Sequence, residues 1–159
     1  MNTASDISKE FIKKRVLSTD LETSETMIIW SLRHWSTCAS SGEDPRELFL
    51  LCTEQHQLPD IAVLFEELAY GIGEGATIKG AIGQEFCNHL HFGEFKVLEA
   101  LYRLQNDQYE LASESLSSWL KPVQARFLIK ILSALGAILE KSNLIVPPRK
   151  EYKTNWQSH

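Results

Sequence analysis

The run PVQARFLIKILSALGAILEK, from Pro122 to Lys141, decides the fold. Proline opens it, where a missing backbone N–H costs a helix nothing. Phe127, Leu128, Ile131, Leu132, Leu135, Ile138 and Leu139 then recur at three- and four-residue steps. They cover more than one helical face, so this segment is expected to be a central helix with neighbours on several sides. Asn143 is placed to end it, and Pro147-Pro148 forces the chain to extend afterwards.

Upstream, the same period returns several times. Phe95, Leu98, Leu101 and Tyr102 form one stripe that Asn106-Asp107 interrupts, and Tyr109 to Trp119 carries another. Earlier, Ser24 to Cys38 reads as a helix with Ile28, Leu32 and Trp35 on one stripe and Met27, His34 and Cys38 beside it. Asp44-Pro45-Arg46-Glu47 has the form of a helix start, and the helix that follows is expected to turn Leu48, Leu51 and Cys52 inward. Ile61 to Tyr70 supplies one more. Five of the eight glycines then fall between Gly71 and Gly83, which reads as a flexible connector.

These patterns predict an all-α, single-domain bundle of six or seven helices with a Gly-rich central connector. Residues 24–146 form the bundle in this reading. Residues 1–23, with Ile7, Phe11 and Ile12 in a short amphipathic stretch, form a loosely attached arm, and residues 147–159 an extended or disordered tail.

The 159 residues suit one domain with a proper core. A net charge of −5 argues against nucleic acid, because phosphate binding needs an excess of Lys and Arg. The basic patches Lys13-Lys14-Arg15 and Arg149-Lys150 with Lys153 read as solubilising charge. Apolar runs such as Leu48 to Cys52 are too short for a bilayer, and no secretory signal is apparent. Three cysteines, an odd number, fit reduced thiols in a cytoplasm.

Chemistry is suggested at one feature. Each cysteine has a histidine within four residues: His34 with Cys38, Cys52 with His56, and Cys87-Asn88-His89-Leu90-His91. Thiolate and imidazole are the usual ligands of zinc. If the last segment is extended, Cys87, His89 and His91 project from one side; if helical, His89 faces elsewhere. Cys52, His56, Cys87, His89 and His91 are therefore the candidate metal ligands, for zinc or iron. Against this stand the absence of Cys-x-x-Cys pairs and the tendency of free cysteine to pack as a small hydrophobe.

Other chemistry is poorly signalled. Gly71-Ile72-Gly73-Glu74-Gly75 follows a helix rather than a strand, so it lacks the context of a phosphate loop. Glu66-Glu67 and Glu94 with Glu99 read as solvated faces, and no Gly-x-Ser-x-Gly elbow occurs.

Trp30 lies five residues before Trp35, a residual rotation of about 140° that puts them on different helix faces. With Trp35 inward, Trp30 is lateral, and Trp30 with Arg33 is the candidate surface for a protein partner or self-association. The reading is thus a binding or assembly module rather than an enzyme, with no cofactor required. The alternatives are a Cys/His metal protein and a small-molecule pocket beneath the connector.

Ile28-Ile29-Trp30-Ser31-Leu32-Arg33-His34-Trp35, Leu98-Glu99-Ala100-Leu101 and Leu132-x-x-Leu135-Gly136-x-x-Leu139 together resemble a group of small helical bacterial proteins. The resemblance covers Met27 to Trp35 and Phe92 to Pro147. It implies an all-helical single domain and brings no activity or functional residue with it.

Overall fold

In the computed structural model, which describes residues 16–58 and 60–153, Pro122–Lys141 is a helix with seven or more wholly or nearly buried side chains along it. Leu128, Leu132, Leu135 and Leu139 are each 0% exposed. Burying each contributes about 1.5–3 kcal/mol, so this one helix supplies much of what holds the fold together.

Seven α-helices occur among the described residues: α1 (Thr23–Ser41), α2 (Arg46–Gln55), α3 (Ile61–Gly75), α4 (Phe92–Gln105), α5 (Tyr109–Ser117), α6 (Pro122–Lys141) and the short α7 (Lys150–Lys153). No strand forms among them, and two isolated β-bridges join Leu17 to His89 and Ala76 to Leu120. The all-α bundle is thus observed. α6 packs most extensively on α3 and α4, α5 covers α4, and α1 closes the other side against α3 and α4. α6 alone, among the described residues, is long and apolar enough by composition to cross a bilayer. Its leucine seam is already occupied by other helices.

Three boundaries differ from expectation for packing reasons. First, Gly71, Gly73 and Gly75 lie inside α3. A Cβ on Gly71 would come 2.7 Å from Leu128, one on Gly73 2.6 Å from Trp35, and one on Gly75 2.4 Å from Gln124. These glycines let α1 and α6 approach α3 closely, and the connector starts only at Ala76.

Second, the expected face of α2 is rotated. Phe49 and Thr53 are 0% exposed, whereas Leu48 and Leu51 are 45% and 50% exposed. Phe49 sets this register by meeting Phe65 of α3 edge-on at 5.9 Å.

Third, the segments flanking the bundle are packed on it where they are described. Val16 is buried, and the Leu90 amide donates to its carbonyl at 2.9 Å. The part of the expected arm before Val16 lies outside the described residues. At the other end Tyr152 is wholly buried, against Phe95 and Tyr102. Its hydroxyl donates to Glu25, which also accepts from Arg149 Nε at 2.6 Å. The polar character of residues 149–153 therefore conceals an anchor rather than a free tail.

Candidate metal centre

The connector from Ala76 to His91 has little regular structure, and hydrogen bonds to the rest of the bundle hold it in place. Thr77 donates from its backbone and its hydroxyl to the Trp119 carbonyl, both at 2.9 Å. Farther along, Glu94 takes over. It sits three residues after His91 and accepts the His91 amide at 2.8 Å, the reciprocal bond of a capping box at the start of α4. It also accepts the Gly83 amide at 3.1 Å.

Arg33 completes the clamp from α1. Its Nε and Nη2 donate to the two oxygens of Glu94 at 2.7 and 2.9 Å. Nη1 and Nη2 also donate to the carbonyls of Cys87 and His89, at 2.8 and 2.9 Å. Burial lowers the guanidinium pKa, but the Glu94 carboxylate outweighs that and raises it above the ordinary value. Arg33 is 4% exposed, so it organises the loop and is not the partner-facing cation expected beside Trp30. Glu94 is wholly buried rather than on a solvated face. Glu99 is buried too, accepting from Lys96 at 3.2 Å and Ser115 at 2.7 Å.

The consequence for the Cys/His segment is direct. Carbonyls 87 and 89 both face Arg33, while Leu90 turns fully inward at 0% exposure. The segment bends at Asn88 and bridges to Leu17 at His89, and the side chains of Cys87, His89 and His91 come together there. One ligand atom from each lies within 4.8 Å of the others. Cys87 Sγ is 3.5 Å from His89 Nδ1 and 3.4 Å from His91 Nε2. The two imidazoles stack, centroids 5.4 Å apart and 10° from parallel.

His91 carries a further feature. Its Nδ1 lies 2.9 Å from the Gly80 carbonyl, which can only accept. A proton on Nδ1 serves that carbonyl, and Nε2 faces the Cys87 sulfur at 3.4 Å. A second hydrogen bond that fixes tautomer and ring plane is typical of metal-ligating histidines. Gly83 permits the arrangement, since a Cβ there would stand 2.7 Å from His91 Cδ2.

Zinc takes sulfur at about 2.3 Å and imidazole nitrogen at about 2.0 Å; at the tetrahedral angle the two donors then sit about 3.5 Å apart. Both S–N separations agree. A single S–H proton can serve only one nitrogen at a time, whereas a cation serves sulfur and both nitrogens together.

The other expected ligands are elsewhere. Cys52 and His56 line a groove between α1 and α2 and do not join the triad. α2 ends at Gln55 with His56 as its C-terminal cap, and the chain then turns through a left-handed Gln57, φ 59°. Burial pushes the Cys52 thiol up. Cys38 is 2% exposed and 3.5 Å from His34 Nε2. Desolvation raises its pKa as well, and Trp30 stacks on His34 at 5.2 Å, so this pair is part of the packing. All three cysteines are free thiols.

Sequence reasoning missed Arg33, Glu94, Gly80 and Gly83 as the frame of the triad. The His91-Phe92-Gly93-Glu94 spacing was a signal that could have found Glu94; nothing local could have found Arg33. Comparison with protein families, with curated proteins and with solved structures returns no match to this chain.

Proposed function

We propose that this protein binds a zinc-class divalent cation through Cys87 Sγ, His89 and His91 Nε2. The reading rests on one observation, two imidazole nitrogens at 3.5 and 3.4 Å from the same sulfur. One thiolate with two imidazoles is a mixed donor set of the kind zinc accepts. Among the described residues the triad has three donors. A tetrahedral ion therefore keeps one position for water or an incoming donor atom. Three reduced cysteines suit a cytoplasmic setting, where the Cys87 thiol stays available.

The test is metal titration of protein purified without a histidine tag. One zinc per chain is expected, with loss of binding in Cys87→Ser and in His91→Ala. Cobalt(II) should give the visible absorption of a tetrahedral site with a sulfur-to-metal charge-transfer band. Stoichiometric binding that survives Cys87→Ser would refute the assignment.

A further inference from the structure

His89 differs from the other two ligands in what positions it. His91 is fixed from nearby, its amide by Glu94 and its ring by the Gly80 carbonyl. His89 depends on a segment from the other end of the sequence. The Ser18 amide donates to the Asn88 carbonyl and the Leu90 amide to the Val16 carbonyl, each at 2.9 Å. These bonds bracket an antiparallel bridge in which Leu17 stands opposite His89. Facing residues in such a pattern form a close pair with no hydrogen bond between them and side chains on one face. The seat of the ligand and the seat of this strap are therefore one piece of geometry.

The strap itself is lightly held. Val16 is 4% exposed and enters the core, but Leu17 is exposed, and the single 3-10 turn Ser18–Asp20 buries no residue. Beyond the bridge, Arg149 donates to the Asp20 carbonyl. A segment with one buried apolar side chain and a few backbone bonds near solvent belongs to the part of a fold that opens most easily. On the other side of residues 87–89, Arg33 is locked in its buried ion pair, so the strap is the side free to move. We infer that zinc is a latch for this strap: the bound ion holds His89 in place and keeps Val16–Asp20 seated on residues 88–90, and loss of the ion lets the strap lift. The inference rests on the zinc reading of Cys87, His89 and His91 and adds a regulated element to it. The coupling is reciprocal, so the seated strap tightens zinc by the factor through which zinc favours seating.

Amide hydrogen exchange, resolved by NMR on the full chain with and without saturating zinc, reads the latch directly. The Ser18 and Leu90 amides should exchange at least tenfold more slowly with zinc. They should slow by more than the Thr77 amide, which the Trp119 carbonyl holds elsewhere on the connector. The reverse direction is read by zinc titration of two variants. Leu17 has φ −81° and ψ 143°, which suits a residue before proline, so Ser18→Pro fits the backbone and removes the amide donor. Ser18→Ala keeps that donor. Ser18→Pro should bind zinc at least threefold more weakly, the effect of one lost hydrogen bond, and Ser18→Ala as tightly as the wild type. Ser18 and Leu90 amides that slow no more than Thr77 when zinc binds, or equal zinc affinity in the two variants, would overturn the latch and leave the metal centre standing. A wild-type chain that binds no zinc would overturn both. The exchange experiment needs no variant, so it decides the matter even if Ser18→Pro does not fold.

Discussion

Arg33 Nε and Glu94 Oε2 meet at 2.7 Å, joining α1 to the first turn of α4 across side chains 5% and 0% exposed. From that pair hang the Cys87 and His89 carbonyls and the Gly83 and His91 amides. The ion pair thus links bundle assembly to the geometry of the triad. Arg33→Met leaves a buried carboxylate without its cation and should cost about 3–5 kcal/mol. Urea denaturation measures that loss, and zinc titration of the folded variant should show at least a tenfold weaker site. Arg33→Lys should rescue little, because an ammonium cannot serve the carboxylate and two carbonyls at fixed angles.

Cys52→Ser and His56→Ala should leave zinc affinity unchanged, within about twofold, because both side chains lie in the groove. The same titration on Cys87→Ser and His91→Ala should show no tight site. Zinc at about a hundred times its Kd should stabilise the wild-type chain by about 2.7 kcal/mol, read as a rise in melting temperature. Acid should weaken binding, since protons compete for thiolate and imidazole.

Gly83→Ala puts a methyl group 2.7 Å from His91 Cδ2 and 3.0 Å from its Nε2. The ring must move off the Cys87 sulfur or the loop must shift. A stability loss of about 1–3 kcal/mol is expected from the overpacking, with a larger relative loss of zinc affinity. Gly80→Ala offers the contrast: nothing lies within 4 Å of its added Cβ, but φ is +69°. It should cost about 1–2 kcal/mol through backbone strain alone.

Tyr152 gives a pH dependence at the other pole. Burial raises its pKa above the ordinary 10.0, and the Glu25 charge adds to the rise, so the folded chain keeps the phenol protonated. Its contribution is complete below pH 10.0. Above that pH the unfolded chain releases the proton first, and stability falls as pH climbs toward the folded value. Chemical denaturation across the alkaline range should show this slope in the wild type and a shallower one in Tyr152→Phe. The variant should also be less stable at neutral pH, through loss of the bond to Glu25.

Some of this was legible in the residues alone. The apolar rows of Pro122–Lys141 and Phe92–Gln105 have one periodicity and enough length to exclude a strand, so helix type and centrality follow locally. The period-two spacing of Cys87, His89 and His91 likewise contained the triad, conditional on an extended backbone. Tertiary contacts decided that condition. Arg33, reaching over from α1 to carbonyls 87 and 89, sets the loop together with the Val16 and Ser18 backbone, which bonds Leu90 and Asn88. α2 is the opposite case. Leu48, Phe49, Leu50 and Leu51 offer apolar atoms in every direction, so pattern cannot choose a face, and the Phe65 ring chooses Phe49. Gly71, Gly73 and Gly75 look like breakers until the Leu128, Trp35 and Gln124 side chains that occupy their missing Cβ positions are in place. Periodicity is a property of neighbours in the chain and can be read from it. Register, close approach and the pairing of buried charges depend on residues tens of positions away, and those are fixed only when the helices meet.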